Sequence, residues 1–474
     1  MPEDVTRAVA TADDSPAAAP VRLAAHVDDR SPRGIAATVA RLVRSGELVP
    51  GDRLPTVREL AAELGVSPAT VSGAWQALAG VGLVVSRGRA GTYVQPEPAS
   101  WLPPRYRDLA TGAPAARLDL SAGTPDPALL PALAPALRRV AERTPAAGTG
   151  TYLSAPLVEP LERLLRASWP FTPERLTVVD GAVDALSRTL EQVARFGDRV
   201  VVEDPCFPPI LDLLDQLGLE RVPVALDRQG LRPDLLAAAL DTGASVVVLQ
   251  PRAHNPTGVS MTATRARELA RVLRAPREGP RVHVVEDDHS GDICRAPDVS
   301  LGQHLPHRTV HVRSYSKSHG PDLRIAAVGG PAAVLDPLVA RRMLGPGWTS
   351  RLLQEVLVDL MTDGDAMGAV LDARRVYSAR QRALTTALAE HGVHVQPGDG
   401  INLWLPVADE VAALVRLEAA GIRVAPGSPF VASTGAGTGA GPADGRRAAH
   451  VRVTVGVLRD DFDAIARALA LAAA

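Results

Sequence analysis

Lysine is almost absent from this chain of 474 residues: of its 51 basic residues, Lys317 is the only lysine. The abundance of glycine, proline and alanine is typical of a GC-rich genome, in which codon drift converts lysine to arginine wherever charge alone is needed. Arginine cannot lose its proton in a protein and cannot form an imine. A single retained lysine therefore indicates a site that needs an amine, with chance survival as the other interpretation.

Other scarcities exclude whole classes of protein. Two cysteines, Cys206 and Cys294, cannot build a disulfide framework or a zinc cluster alone. No run of about 20 apolar residues is long enough to cross a membrane, and the acidic N-terminus lacks the apolar core of a secretion signal. A net charge of −2 argues against a protein whose whole chain binds nucleic acid. One segment can still be basic when the rest of the chain is acidic. We expect a cytoplasmic location.

Residues 30–95 contain that basic module, with eight arginines against four acidic residues. Thr56 and Glu59 form a capping box that predicts a helix start, and Ser67 followed by proline predicts a second start. Residues 83–94 have the pattern of a hairpin with a glycine-rich turn. Two short helices with a tight turn, followed by a hairpin, predict a winged helix-turn-helix.

The remaining chain alternates apolar strands with helical runs, which predicts a large α/β domain with a mostly parallel sheet and then a smaller α+β domain. Prolines are expected to break any helix in the segment between the winged helix and this domain, so that the domains can reorient. The predicted organisation is a disordered tail (1–29), the winged helix (30–95), a linker (96–117), the large domain (118–364) and the small domain (365–474), with a flexible insertion at 433–449.

Residues suited to pyridoxal phosphate follow several of the predicted strands. This cofactor needs an amine, a carboxylate for its ring nitrogen, and hydroxyl, guanidinium or helix-terminal amide groups for its phosphate. Lys317 follows the strand 309–313, and Asp287 and Asn255 follow two other strands. Taken alone, Asn-Pro-Thr-Gly at 255–258 is merely a good turn, and Asp287-Asp288-His289 is open to interpretation as a metal site or a solvated acidic end. The order of these residues along the chain, around a single lysine, favours a pyridoxal phosphate site. We therefore predict no metal at this site.

The run GELVPGDRLPTVRELAAELGVSPATVSGAWQALAGVGLVVSRGRAGTYV (46–94) resembles the GntR family of bacterial regulators. The resemblance implies that helix 67–79 enters the major groove of double-stranded DNA. Many relatives carry arginine where this chain has Pro68 and Ser72, which leaves few polar side chains for base contacts. The implied DNA-contacting residues are Arg58, Ser67, Thr70, Arg87 and Arg89. The alternative is a helical dimerisation module with a solvated basic face.

The chain after the linker resembles fold-type-I, pyridoxal phosphate-dependent aminotransferases, through VVDGAVDAL, EDPCFPP, NPTG, EDDH and SYSKSHGPDLR in that order. The resemblance implies that Lys317 forms the imine and Phe207 stacks on the ring, with Asn255 and His289 at the ring hydroxyl and Asp287 at the ring nitrogen. It assigns the phosphate to Gly181, Ala182, Val183, Ser314, Ser316 and Arg324, the effector carboxylate to Arg452, and the neighbouring subunit's phosphate to Tyr152. His289 replaces the family's tyrosine, and we expect its imidazole to donate to the ring hydroxyl.

A GntR-like winged helix joined to an aminotransferase-like domain is the MocR arrangement. The resemblance implies a transcriptional regulator that binds a DNA operator, assembles as a head-to-tail homodimer and senses an amino acid or amine through an external aldimine. One alternative is an active aminotransferase that carries a DNA-binding domain, because the cofactor site is nearly complete. A further alternative is a sensor of the cofactor level itself.

Overall fold

The computed structural model describes residues 23–45, 47–80, 83–88, 91–95, 102–110, 116–143, 151–275, 281–433 and 448–474. The chain divides into two compact units, Met1–Trp101 and Leu102–Ala474. Within these described ranges, no helix combines the length and the apolar character that a membrane crossing requires.

The described part of the first unit contains helices and a small antiparallel sheet. The helices are α1 (Pro32–Ser45), α2 (Val57–Leu64) and α3 (Pro68–Gly80), and the strands are β1 (Arg53–Leu54), β2 (Val84–Ser86) and β3 (Thr92–Val94), in the order β1-β3-β2. The expectation of a disordered tail over 1–29 is wrong for its last part. Leu23 and Val27 are buried in the core of this unit, because an apolar pair four residues apart covers one face; residues 1–22 lie outside the described part.

Local sequence signals fix the helix ends of this unit. Thr56 Oγ1 accepts a hydrogen bond from the Glu59 amide at 3.3 Å, and Glu59 accepts one from the Thr56 amide at 2.8 Å. Gly65 ends α2 in the left-handed conformation, at φ 65°, where glycine has no steric penalty. The capping box predicted from the sequence is therefore present.

The second unit is built on an eight-stranded sheet. Its strands are β5 (Arg175–Val179), β6 (Arg199–Asp204), β7 (Glu220–Asp227), β8 (Gly230–Leu231), β9 (Val246–Leu249), β10 (His283–Asp288), β11 (Thr309–Ser314) and β12 (Ala326–Gly330). The order is β5-β12-β11-β10-β9-β6-β7-β8. The five central strands from β11 to β7 are parallel, whereas β12 runs antiparallel to both of its neighbours.

Helices cover both faces of this sheet, as the alternation of its buried residues requires. Val200 and Val248 pack with one group of helices, whereas Val201 and Val247 pack with another. The helices of this part are α5 (Leu133–Arg143), α6 (Glu159–Ser168), α7 (Ala182–Val193), α8 (Pro208–Gln216), α9 (Pro233–Asp241), α10 (Ala263–Arg274), α11 (Ala332–Met343) and α12 (Arg351–Thr362).

A second sheet forms the C-terminal part, and it changes one predicted boundary. Its strands are β4 (Leu118–Leu120), β13 (Asn402–Val407), β14 (Ile422–Pro426) and β15 (Ala449–Thr454), with helices α13 (Gly364–Glu390), α14 (Glu410–Ala419) and α15 (Phe462–Ala473). The predicted boundary at 118 places β4 in the large domain, yet this strand pairs in parallel with β14. The pairing spans about 300 residues of sequence, so no local pattern reveals it. Of the predicted insertion, 434–447 lies outside the described residues, and Ala449 already belongs to β15.

The expectation that prolines break any helix between 96 and 117 is also wrong. Helix α4 (Pro104–Ala110) lies inside this range and belongs to the second unit. Pro104 occupies the first helical position, where a missing amide hydrogen removes no helical hydrogen bond. The carboxylate of Asp212 in α8 accepts hydrogen bonds from the amides of Arg105 and Tyr106 at 3.1 and 3.2 Å. The helix is therefore held by a residue more than 100 positions away.

Candidate functional site

The carboxyl ends of three neighbouring parallel strands supply the polar side chains of the site. Gln250 follows β9, Asp287 lies near the end of β10, and Ser314 is the last residue of β11. Parallel strands end at a common edge, where open α/β sheets bind their ligands. This edge brings together residues that the sequence places far apart.

Asp287 is a buried carboxylate with one oxygen still available. Its Oδ2 accepts a hydrogen bond from Gln250 Nε2 at 2.8 Å, whereas Oδ1 has no partner among the described residues. Burial raises the pKa of Asp287 to about 6, against the opposing effect of the Gln250 hydrogen bond. A buried oxygen without a partner is costly unless a ligand provides one. A protonated ring nitrogen is a donor of the required kind.

Gln250 is a site residue that the sequence reasoning missed. It is buried, and besides donating to Asp287 its Oε1 accepts a hydrogen bond from the Asn255 amide at 2.8 Å. One side chain thus links the ring carboxylate to the Asn-Pro-Thr-Gly turn. Its position directly after an apolar strand was the signal that could have found it, because polar groups at that edge face the ligand side of such sheets.

Lys317 lies at the same edge with its amine partly withdrawn from water. Its Nζ donates a hydrogen bond to the carbonyl of Gly123 at 2.5 Å. Burial lowers the pKa of Lys317 to about 8, and the charge of Arg452 lowers it further, while Asp287 acts in the opposite direction. A larger fraction of this amine is therefore neutral near physiological pH than of an exposed lysine, which favours attack on a carbonyl carbon.

Groups suited to a phosphate are clustered beyond the lysine. The hydroxyls of Ser314 and Ser316 lie 2.9 Å apart, and Arg324 Nη2 donates to the Asp180 carbonyl at 2.7 Å. Gly181 begins α7 at φ 102°, and a Cβ atom there would lie 2.5 Å from Arg324 Nη2. Glycine adopts this positive φ without steric penalty, and it allows Arg324 to lie beside the helix N-terminus, whose first amides lack helical acceptors. Arginine, hydroxyls and free amides are the usual components of a phosphate site.

The other residues assigned to the cofactor occupy different surroundings. Ala182 and Val183 form the first turn of α7, and Phe207 precedes α8, partly buried against the sheet core. Tyr152 is 81% exposed, and its ring meets that of Trp348 edge-on with centroids 6.0 Å apart. Within one chain, the structure therefore does not bring Tyr152 to the lysine, and its role toward a neighbouring subunit stays a prediction.

Arg452 is a buried guanidinium group without an acidic partner among the described residues. It donates to the carbonyl of Ser121 and, at 3.4 Å, to Asn255 Oδ1, while its Nε has no partner. Its Cζ lies 5.2 Å from the centre of the Phe430 ring. Burial lowers the pKa of Arg452 to about 10, so the group is still charged near pH 7. A carboxylate is the kind of group that pairs with a buried guanidinium through two hydrogen bonds.

His289 is a buried imidazole close to the site, and its contact with the ring hydroxyl stays a prediction. Its Nε2 lies 3.0 Å from the carbonyl oxygen of Ala253, and Ser290 Oγ is 3.2 Å from its Nδ1. Burial lowers the pKa of His289 to about 4, so the ring is neutral near pH 7 and carries one N–H. Because a carbonyl oxygen can only accept a hydrogen bond, the proton of the ring lies on Nε2, which donates it to the Ala253 carbonyl. In this arrangement the imidazole has no donor left for a ring hydroxyl.

One group of side chains in the described ranges is close enough to share a metal ion. The group is Asp288, Asp298 and His311. Its carboxylates are already paired: Arg252 donates to Asp288, with Nε and Oδ1 3.2 Å apart, and Arg313 Nη2 lies 2.8 Å from Asp298 Oδ2. Because the guanidinium groups compensate these charges, the cluster is better explained as buried ion pairs beneath the site than as a metal centre.

The residues at the sheet edge therefore fit pyridoxal phosphate. The Lys317 amine, the unpartnered oxygen of Asp287 and the glycine-lined N-terminus of α7 provide the amine, the carboxylate and the phosphate groups that this cofactor requires.

The first unit places the start of α3 at its surface. Ser67 precedes the helix, and its Oγ accepts a hydrogen bond from the Thr70 amide at 3.2 Å. The two hydroxyls lie 2.9 Å apart. Ser67 therefore caps the helix predicted to enter the groove, and any base contact it makes must share that hydroxyl.

The predicted arginine contacts of this unit are exposed where they are described. Arg58 lies in α2, and Arg87 follows β2, with its Cζ 5.4 Å from the centre of the Tyr93 ring. Such a contact holds an arginine at the hairpin while leaving its charge in water. Arg89 lies outside the described residues.

Comparisons with known proteins agree with this division. The family "Bacterial regulatory proteins, gntR family" matches residues 33–94, and "Aminotransferase class I and II" matches residues 116–469. The chain is 38% identical over 383 residues to the vitamin B6 salvage pathway transcriptional repressor PtsJ of Salmonella typhimurium, which covers 80% of this chain and 86% of PtsJ. The chain belongs to the MocR-type transcriptional regulators.

A second regulator supports this membership, and a solved structure supports the fold of the second unit. The regulator is 27% identical over 433 residues to the HTH-type pyridoxine biosynthesis transcriptional regulator PdxR of Corynebacterium glutamicum, which covers 89% of this chain and 93% of PdxR. The α-aminoadipate aminotransferase LysN of Thermus thermophilus, solved with N-(5′-phosphopyridoxyl)-L-leucine, has a TM-score of 0.66 at 21% identity, over 78% of this chain and 94% of that chain. The predicted winged helix and fold-type-I α/β domain are confirmed, and the gntR match implies DNA binding by this MocR-type regulator.

Proposed function

We propose that this regulator holds pyridoxal phosphate on Lys317 and changes its affinity for an operator when an amino compound displaces the lysine. The observation that carries the proposal is the Lys317 amine at the sheet edge that also holds the unpartnered oxygen of Asp287. When bound, the cofactor supplies an aldehyde carbon to which amines add reversibly. The chain's own residues select which amine is held there.

Each residue of the site has a distinct task in this proposal. Asp287 keeps the ring nitrogen protonated, and Gln250 orients Asp287 while fixing the Asn255 turn. Arg324, the serines and the amides that begin α7 hold the phosphate. Arg452 binds the carboxylate of an amino acid effector by a bidentate contact.

The response in DNA affinity follows from linkage. An effector can shift the protein between two states only by the difference in its affinity for them. An amino acid can bind through its amine to the aldehyde carbon of the cofactor and through its carboxylate to Arg452. These two sets of contacts can differ between the two states of the protein. The exposed arginines of the winged helix then contribute salt-dependent affinity for the DNA backbone.

Visible absorbance of the purified protein tests this proposal. The protein is titrated with a panel of amino acids and amines, and then with a keto acid. A cofactor band that shifts but persists supports a sensor. Conversion to the pyridoxamine form, recycled by the keto acid, identifies instead an aminotransferase that carries a DNA-binding domain. Absence of any cofactor band overturns the proposal.

A second candidate is that the cofactor itself is the effector. The relatives PtsJ and PdxR are named for vitamin B6 salvage and pyridoxine biosynthesis, which favours regulation by the level of this vitamin. The cofactor-free protein is therefore tested with pyridoxal phosphate alone. A change in DNA affinity without any amino compound supports this candidate, and no change excludes it.

The proposal also includes a head-to-tail homodimer in the cytoplasm. The exposed Tyr152 beside Trp348 is available to a second chain. Analytical ultracentrifugation of the wild-type protein and of Tyr152→Phe, with cofactor retention measured in parallel, tests this part. Weaker retention in the dimeric variant supports a contribution of Tyr152 to the neighbour's phosphate, whereas a monomeric wild-type protein contradicts it.

A further inference from the structure

Helix α3 of the winged-helix unit contains no charged residue. Its sequence, PATVSGAWQALAG, has neither an acidic nor a basic side chain. Arg58 and Arg87 of the same unit are exposed, but they lie on α2 and after β2. In protein–DNA complexes, contacts to phosphates position the protein, whereas contacts to base edges give specificity. Base edges, rather than phosphates, are therefore the partners that suit the side chains of α3.

The rotation of α3 about its own axis is set by its buried side. Val71, Ala74, Trp75 and Leu78 pack in the core of the unit. Trp75 Nε1 donates a hydrogen bond to the carbonyl of Pro55 at 3.2 Å, so the helix cannot turn without breaking a buried contact. With 3.6 residues per turn, these contacts determine which side chains face away from the core.

Ala69, Ser72 and Gln76 form a stripe on the outer side of α3. They are spaced by three and four positions, which places them on one face of a helix. Ala69 and Gln76 are exposed, and Ser72 is half-buried. On one flank of the stripe, a Cβ atom at Gly73 would lie 3.5 Å from the Cβ of Pro32 in α1, so α1 covers that flank. The outer stripe therefore offers a methyl group, a hydroxyl group and one carboxamide.

The polar groups at the start of α3 are already used within the helix. Pro68 has no amide hydrogen, and the Thr70 amide donates to Ser67 Oγ at 3.2 Å. The hydroxyls of Ser67 and Thr70 lie 2.9 Å apart, within hydrogen-bond distance of each other. A serine hydroxyl such as that of Ser72 can donate or accept, so it discriminates poorly between bases. Ala69 and Gln76 are therefore the members of the stripe that can select a base.

An alanine methyl group and a glutamine carboxamide each match one base in the major groove. A methyl group packs against the 5-methyl group of thymine, and a carboxamide forms two hydrogen bonds with N6 and N7 of adenine. Seven residues of helix rise about 10 Å, which separates the two contacts by roughly three base-pair steps. Both of these bases belong to A·T pairs.

We propose that α3 recognises A·T base pairs, with the Ala69 methyl group against a thymine methyl group and the Gln76 carboxamide on an adenine. This inference rests on operator binding in the proposed function. The exposed arginines of the other elements hold the DNA backbone and contribute the salt-dependent part of the affinity. Removal of the methyl group from the thymine or from Ala69 should then weaken binding by the same factor.

Uracil in place of thymine removes only the 5-methyl group from the DNA, and it is the probe for Ala69. A high-affinity sequence is first selected from random double-stranded DNA with the full-length protein. Each thymine of that sequence is then replaced by uracil, one at a time, and fluorescence anisotropy measures the affinity. We expect at least one thymine whose replacement weakens binding about fourfold.

Two variants separate the methyl contact from the stability of the helix. Ala69→Gly should bind the thymine and uracil sequences equally, so that the ratio of their affinities falls from about four to about one. Ala77→Gly is the matched control, because Ala77 is exposed on the same helix outside the stripe and glycine disfavours the helix there by a similar amount. The control should keep the wild-type ratio. A loss of helix stability weakens binding to both sequences and leaves their ratio unchanged.

The base 7-deazaadenine, which lacks the N7 acceptor, is the corresponding probe for Gln76. One such substitution should weaken binding by the wild-type protein about tenfold and leave binding by Gln76→Ala unaffected. Gln76→Glu cannot donate to N7, and a carboxylate accepts from the amino group of cytosine. Selection from random DNA with this variant should therefore yield cytosine where the wild-type protein selects adenine.

The outcomes distinguish this inference from the proposed function. If no uracil substitution weakens binding, if Ala69→Gly keeps the wild-type ratio, or if Ala77→Gly loses it as well, the thymine contact is overturned while operator binding stands. If Gln76→Ala is as sensitive to 7-deazaadenine as the wild-type protein, the adenine contact is overturned. If selection yields no preferred sequence, operator binding in the proposed function fails and this inference fails with it.

Discussion

In the winged-helix unit the charged side chains lie at the surface, whereas in the second unit many lie beneath it. Among the described residues of the first unit, Thr38 is the one buried polar side chain. The second unit buries Asp287, Asp288, Glu286 and Arg452 close to one edge of its sheet. Exposed arginines suit a polyanion whose binding is reversible and salt-dependent. Buried charges are costly unless paired, so those without partners indicate where a small ligand is held.

The largest effect should come from the one lysine. Replacing Lys317 by alanine should abolish the visible band of the bound cofactor completely, because no other lysine exists to form the imine. Lys317→Arg is the matched control, since it keeps the positive charge without an available amine. Both variants should retain a folded winged helix by circular dichroism and thermal melting. A covalent cofactor band in Lys317→Arg would contradict the assignment.

The next largest effect should come from the buried carboxylate. Asp287→Asn should weaken cofactor retention by about 10- to 100-fold, because it removes a charge-assisted hydrogen bond to the ring nitrogen. Equilibrium dialysis measures the retention. Asp336→Asn, at an exposed ion pair with Arg175 on the same unit, should have no effect. Equal losses in the two variants would show that burial of Asp287 is unrelated to the cofactor.

The pH dependence of cofactor uptake tests the buried amine. Burial lowers the pKa of Lys317 to about 8, so the neutral, nucleophilic fraction rises through pH 8 and levels off near pH 9. The rate of cofactor uptake should therefore increase about tenfold between pH 7 and pH 9 and change little above it. Stopped-flow absorbance measures this rate. A rate that continues to rise beyond pH 10 would indicate an ordinary, solvated lysine.

The smallest effect should come from an exposed arginine of the winged-helix unit. Arg58→Ala should weaken DNA binding by about 1 kcal/mol, or roughly fivefold, and reduce its salt dependence, with the cofactor spectrum unchanged. Fluorescence anisotropy on labelled DNA measures the affinity. Arg163→Ala removes the same charge from an exposed site of the second unit and should leave DNA binding unchanged. Loss of the cofactor band in Arg58→Ala would contradict the separation of roles between the units.

The two units also differ in how much of their structure can be predicted from the sequence. The capping box of Thr56 and Glu59, and the glycine that ends α2, are local signals, and the structure contains both. In the second unit the strand predicted at 309–313 is present as β11, because its apolar run is a local signal of the same kind. Elements that depend on local chemistry are predictable from one sequence.

Features that depend on distant partners were not predictable in the same way. Helix α4 is stabilised by Asp212, and β4 by β14, across more than 100 and about 300 residues. The hydrogen bond from Gln250 to Asp287 and that between His289 and the Ala253 carbonyl exist only once the strands are side by side. Lys317 is the exception, because the rarity of lysine in the composition is enough to single out this residue.

In the proposed function, exchange of an amine at Lys317 changes the affinity of the winged helix for DNA. The most direct measurement titrates amino compounds into the cofactor-loaded protein and follows visible absorbance and anisotropy of DNA from upstream of its own gene together, at fixed salt. We expect both signals to change at the same effector concentration in the wild type, and neither to change in Lys317→Ala. A complete change in absorbance with unchanged DNA affinity would contradict it.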